Sequence, residues 1–266
     1  MPVTLMVLTE KYYYKGNKMK LSTVPQKDIK HDIKVFEEKL KNKENFTFSK
    51  YADGEWSVIT NQSLDNKEFW FDPNNIMDGY KRTKLLESFQ YHNPNYYVGV
   101  SCPCCQGLEI HKEMIEECKQ DEDHITWANL WVNNNYHYFT SNILPLFKDR
   151  DVVLYSHKEG KFENLPFKPM QIFPVEKNAW AANWNFIEES KHFIKNNDIE
   201  NALFLFCCGP FGNILAHELT SCCPQNTYLD IGSTLNPYLQ SEGFVRDYYV
   251  QGSFFSQMEC IWSNEE

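Results

Sequence analysis

An α/β fold, with a mostly parallel sheet flanked by helices, follows from three observations. Short β-prone runs alternate with amphipathic segments from about residue 26 to residue 232. Ala202-Leu-Phe-Leu-Phe-Cys-Cys208 is a continuous apolar run of strand length, typical of the centre of a parallel sheet. After it come Gly209-Pro-Phe-Gly212, a helical stretch from Asn213 to Ser221 and a strand from Thr227 to Gly232. Together these make one βαβ unit, whose crossover should be right-handed.

The 266 residues are 42% apolar and 15% aromatic, enough for one large core. We read residues 26–240 as that domain, 1–25 as an N-terminal extension and 241–266 as a C-terminal segment packed on the same domain. The formal charge is −10 and no dense Lys/Arg block occurs, which argues against nucleic acid as a partner. A small phosphate ligand is not excluded, because it needs only local donors and a metal. Met1 to Gly16 has no apolar core of signal-peptide length, and Ala202 to Cys208 is far too short to span a membrane. A cytoplasmic protein without a transmembrane segment is expected. Nine cysteines stand at 102, 104, 105, 118, 207, 208, 222, 223 and 260. Their odd number and adjacent pairs suggest reduced thiols. Cys102-Pro-Cys-Cys105 has a Cys-x-x-Cys spacing that could ligate zinc, yet local sequence supplies no further ligands, so metal-free cysteines are expected.

In chain order, Ile29, Ile33, Phe36 and Leu40 predict a helix over 26–43 that covers the sheet. A strand from Phe46 ends at Asp53-Gly54, where glycine lets the backbone turn, and Trp56, Val58 and Ile59 open a helix. A polar loop, 61–79, precedes a helix at 80–91. Tyr96 to Val100 reads as a strand, 101–107 as a loop, Leu108 to Lys119 as a helix and Ile125 to Trp131 as a strand. A helix then carries Tyr136, Phe139, Ile143 and Leu144. Asp151 to Ser156 and Met170 to Val175 are strands, and Asn183 to Asn196 is an amphipathic helix.

Chemistry in such a sheet collects at the carboxyl ends of the strands. Asp53 and Glu55 stand at the first strand-to-helix junction, where two carboxylates can converge on a hard cation such as Mg²⁺ or Mn²⁺. Asp-Gly-Glu is also an ordinary turn, and Asp an ordinary N-cap. The other strand ends carry 101–107, Ser156-His157, Glu176-Lys-Asn178, Gly209 to Gly212 and Asp230 to Thr234. Gly209 and Gly212 either let a backbone approach an anion at a helix N-terminus or simply form a tight turn. Asp230 either binds a ribose or sugar hydroxyl or caps a turn. Trp127, Trp131, Trp180 and Trp184 either stack on sugars or belong to the core.

These residues resemble a family. Phe48-Ser-Lys-Tyr-Ala-Asp-Gly-Glu55 is similar to the Arg-Phe-Gly-Asp-Gly-Glu signature of the GT-D-fold glycosyltransferases. Gly209 to Leu219 followed by Tyr228-Leu-Asp-Ile-Gly232 resembles their C-terminal Gly-Pro…Leu-Ala…Asp-Ile-Gly pattern, and the likeness covers roughly 26–240. The resemblance implies a Rossmann-like, GT-D-like fold and transfer of a sugar from a UDP-sugar to a glycan or glycoprotein acceptor with Mn²⁺ (or Mg²⁺). It places Asp53 and Glu55 at the metal and diphosphate. The family's Arg is Lys50 here, which keeps the charge but loses the bidentate fork, and Ser233-Thr234 stands where the family often has His.

On this reading the donor site comprises Lys50, Asp53, Ser156, Gly209, Gly212 and Asp230, with His157, Asp230 and Glu176 as candidate bases. Two rival readings stand beside it. One is an S-adenosylmethionine-dependent methyltransferase, although its glycine-rich turn would sit near the domain start. The other is a non-catalytic nucleotide-sugar or glycan-binding module.

Overall fold

The computed structural model of the protein describes residues 29–66, 68–240 and 246–258. The N-terminal extension, the first residues of the expected 26–43 helix, and residues 241–245 and 259–266 of the C-terminal segment, Cys260 among them, lie outside them. The sheet has seven strands, all parallel, in the order β5-β4-β1-β9-β8-β6-β7. They are β1 (Thr47–Tyr51), β4 (Tyr96–Val100), β5 (Ile125–Trp127), β6 (Val152–His157), β7 (Gln171–Val175), β8 (Leu203–Phe206) and β9 (Thr227–Asp230). β2 (Leu64–Asp65) and β3 (Trp70–Phe71) form a separate antiparallel hairpin. Pro174 falls in β7, at the sheet edge, where its missing N–H leaves no ladder bond unmade.

Alternation along the strands feeds two cores. Val153, Tyr155, Phe204, Phe206 and Tyr228 point to one face. Val152, Leu154, Leu203, Leu205 and Leu229 point to the other. On the first face lie α2 (Asp53–Ile59), α3 (Ile76–Phe89), α4 (Leu108–Cys118), α5 (Phe186–Asn196) and α6 (Pro210–Cys222). The second face is covered by α1 (Ile29–Lys41), a helical stretch over 136–149 and Tyr248. β8 shows why the centre is so apolar. All four of its side chains are buried, each contributing about 1.5–3 kcal/mol of transfer free energy.

Several expected boundaries move, each for a physical reason. α3 begins at Ile76, not 80, because Asn75 Oδ1 accepts the Met77 and Asp78 N–H groups at 2.9 and 3.2 Å. The exposed Ile76 and Met77 hide that start from any apolar-face pattern. The 136–149 stretch passes from α to π to 3₁₀ geometry, consistent with Pro145 having no N–H to continue an α-helix. The chain turns at Ala52, not at Gly54, which already lies inside α2. Gly54 is small for another reason: a Cβ there would stand 2.9 Å from the Phe69 ring. Of the four tryptophans weighed between sugar stacking and the core, Trp127, Trp131 and Trp180 are buried in the cores. Trp184 packs on Tyr80 and Phe211.

α6 is fastened across the middle of the sheet. Asn213 Nδ2 donates to Ser49 Oγ at 2.9 Å and to the Lys50 carbonyl at 2.7 Å, and the Thr220 and Thr47 hydroxyls meet at 2.6 Å. Gly212 serves this packing, since a Cβ there would meet Phe206 Cβ at 3.0 Å, with no flexible chain end to give way. Gly212→Val should therefore destabilise the fold by about 1–3 kcal/mol, read as a lowered unfolding midpoint in urea. An unchanged midpoint would contradict this packing role.

Candidate functional site

The carboxyl ends of β1, β9, β8, β6 and β7 open into a cleft of about 660 Å³. Lys50 is the penultimate residue of β1, Asp230 ends β9, Cys207 and Cys208 follow β8, and Ser156 and His157 close β6, all lining it. Asp53 and Glu55 reach it from the first turn of α2, and Gly209 from the start of α6. The all-parallel ladder is what puts these residues, far apart in sequence, on one edge.

The floor of the cleft is a buried charge cluster. Asp230 is 3% exposed and accepts the Gly232 N–H at 3.0 Å. Burial pushes its carboxyl up to about 7; Lys50 opposes the rise and Glu55 adds to it. Glu55, 5% exposed, is likewise raised by burial, against the pull of Lys50. Burial alone would lower the Lys50 ammonium, but Asp230 and Glu55, with Tyr248 and Glu68 further out, carry it above the ordinary lysine value. Gly232 has φ +53°, and a Cβ there would fall 2.7 Å from Lys50 Cε, so glycine both makes the turn and leaves the lysine its channel. Burial and then the Asp230 charge push the Cys207 and Cys208 thiols up, so they stay protonated.

The expected site residues divide. Lys50, Asp53, Glu55, Ser156, His157, Glu176, Gly209 and Asp230 all line the cleft; Gly212 does not, for the packing reason given above. The 101–107 loop also lies elsewhere, at the carboxyl end of β4. Glu176 sits on the exposed rim, ion-paired to Lys158 at 2.7 Å. Glu55 has a second occupation, because its Oε2 accepts the Ala52 N–H at 3.0 Å and so caps α2. Asp53, beside it, is exposed.

Sequence reasoning missed one wall and the roof. Leu64, Asn66, Glu68 and Phe69 come from the hairpin, which two-residue strands without periodicity do not announce. Asn66 Oδ1 accepts the Glu68 and Phe69 N–H groups at 2.8 and 2.9 Å, and Asn178 N–H donates to the Glu68 carbonyl at 3.0 Å. Arg246 and Tyr248 come from the C-terminal segment. Arg246 pairs with Glu68, both lining the cleft, and Tyr248 meets the Ser233 hydroxyl at 2.8 Å.

Chemically, the cleft offers hard oxygen donors from Asp53, Glu55 and Asp230, cations from Lys50, Lys177 and Arg246, and a helix N-terminus at Gly209. Among the described residues, no group of three or more His, Cys, Asp or Glu side chains is arranged to hold a metal ion by itself. The donor set suits Mg²⁺ or Mn²⁺ only in the way those ions are commonly held, by one or two carboxylates with phosphate oxygens completing the shell. No helix among the described residues is long and apolar enough to cross a membrane.

No family model and no curated protein matches the chain. Two solved structures of domain of unknown function 1792 do match. One is the selenomethionine-substituted form, with a TM-score of 0.53, and the other, described as having a distinct glycosyltransferase fold, has a TM-score of 0.54. Each is 15% identical and covers 77% of this chain and 77% of its own. At that identity the likeness shows the fold, and it leaves function to the site.

The state of Asp230 gives a test in pH. Its folded pKa, about 7, lies above the ordinary aspartate value of 3.8, so between those pH values the folded chain holds a proton that the unfolded chain has released. The stability tied to Asp230 is thus present below about pH 4 and lost as pH rises through about 7. Subtracting the stability of Asp230→Asn from that of the wild type should give a difference that falls over this window, on the order of a few kcal/mol. A flat difference curve from chemical denaturation would refute the assignment.

Proposed function

We propose that the protein is a metal-assisted glycosyltransferase that moves a sugar from a UDP-sugar to a glycan or glycoprotein acceptor. The observation that carries this reading is the convergence of Lys50, Asp53, Glu55, Asp230 and the α6 N-terminus on one cleft at the carboxyl edge. A nucleoside diphosphate brings negative charge and oxygen ligands, the complement such a mixed cleft lacks. The fold shared with a structure described as a glycosyltransferase fold supports the same reading.

In this mechanism the chain first binds and orients the diphosphate. Lys50 and the helix-start amides face the phosphates, and Arg246 and Lys177 approach from the rim. Asp53 and Glu55 would hold Mn²⁺ or Mg²⁺, which when bound supplies Lewis-acid neutralisation of the departing UDP. Of the three candidate bases we assign the acceptor's proton to Asp230. Its carboxyl is poised near 7 inside the cleft, a value suited to taking a proton at neutral pH. Glu176 is instead held on the exposed rim by Lys158.

Titration calorimetry with UDP should show binding that falls at least tenfold on chelation of Mn²⁺ and in Asp53→Asn and Glu55→Gln alike. Equal affinity in all four conditions would remove the metal from the proposal. Lys50→Met should weaken UDP binding further, by roughly one to two orders of magnitude, because charge-assisted contacts are worth about 1.5–3 kcal/mol. Unaltered binding in folded Lys50→Met would exclude the lysine from the diphosphate site.

A further inference from the structure

The Cys-x-x-Cys segment lies outside the cleft, and the proposed function makes no use of it. Cys102 Sγ stands 3.3 Å from Cys105 Sγ, although the two residues are buried and exposed respectively. The intervening turn is closed by the Cys105 N–H donating to the Cys102 carbonyl at 3.0 Å, with Pro103 fixing its first helical position. A four-residue turn closed in this way brings its end Cα atoms within about 7 Å, a spacing that overlaps the 4.4–6.8 Å span a disulfide needs. The base of the turn is held rigid. His111 Nδ1 meets the Ser101 carbonyl at 2.7 Å, its ring stacks on Trp127, and Ser101 Oγ donates to the Tyr51 carbonyl at 3.4 Å.

The contrast with the second close pair is informative. Cys222 and Cys223 have sulfurs 2.8 Å apart, but adjacent Cα atoms are only about 3.8 Å apart, below the range for an unstrained bridge. Burial also pushes the Cys222 thiol up to about 12, leaving little thiolate at neutral pH.

We infer that Cys102 and Cys105 form a thiol–disulfide exchange site that takes small-molecule disulfides as its oxidant, Cys105 being the entry thiol and Cys102 the resolving one. The Cys105 thiolate attacks one sulfur of R–S–S–R and expels one R–S⁻, giving a mixed disulfide. The Cys102 thiolate then attacks the Cys105 sulfur, forms the Cys102–Cys105 bond and expels the second R–S⁻. Two protein thiols are oxidised, one R–S–S–R is reduced to two R–SH, and the protons lost by the cysteines end on the two leaving groups. The assignment of order rests on access, since only Cys105 of the pair is exposed.

The test uses the full chain incubated with excess glutathione disulfide, alkylated, digested and mapped by mass. Wild type and Cys104→Ser should each lose two alkylatable thiols and yield a peptide bridged between Cys102 and Cys105. Cys102→Ser should instead retain a lasting glutathione adduct on Cys105. A lasting adduct on Cys105 in the wild type, a bridge that involves Cys104, or full alkylation of both Cys102 and Cys105 would each overturn the inference. The wild-type map decides the matter even where a variant fails to fold.

Discussion

Two buried carboxylates and one ammonium at the middle of the sheet are the constraint around which this structure is arranged. β1 and β9 are paired neighbours, Thr47 with Tyr228 and Phe48 with Leu229, so their ends bring Lys50 and Asp230 to the same point. Charges removed from water there are tolerable only because opposite signs share the space and backbone amides take the remaining oxygen positions. Everything near them protects that balance: Gly232 leaves room for the lysine stem, Ala52 occupies one oxygen of Glu55, and Asn213 ties α6 to Ser49 and to the Lys50 carbonyl. Such a cluster is poor packing and good chemistry. An apolar core of the same volume would be the more stable arrangement in many proteins.

The glycosyltransferase proposal rests on that distinction. A cleft with an excess of either sign would bind ions indiscriminately. One that offers acidic oxygens on α2 and cations on β1 and the rim suits a ligand that carries negative charge and brings a cation with it. The net charge of −10 does not oppose this, because the cations needed are only the few that line the cleft.

Much of the scaffold was legible because the sheet is parallel and fully covered. Its strands are short apolar runs whose ends fall on one edge, so position alone puts Asp53, His157, Gly209 and Asp230 along the edge where the cleft opens. Legibility ended where structure is set by contacts distant in sequence. Two-residue strands have no period, so in the sequence the hairpin with Phe69 and Glu68 is indistinguishable from a loop. Arg246 finds Glu68 across 178 positions, which no local pattern encodes. Glycines misled in a particular way. Gly54 and Gly212 look like turn residues, yet both lie in helices and are small because Phe69 and Phe206 stand against them.

The strand order also has a consequence for how the molecule is made. β9, the last of the described strands to be synthesised, is inserted between β1 and β8, with three strands on either side. Until Asp230 has left the ribosome, the nascent chain holds two half-sheets with unpaired inner edges, the kind of surface that pairs wrongly with other chains. Closing them requires Tyr228 to find Thr47 across most of the domain, a contact of high sequence separation that makes for slow folding. The carboxylate at the heart of the cleft is thus carried in by the segment that completes the sheet, and no half-sheet intermediate can contain the assembled site.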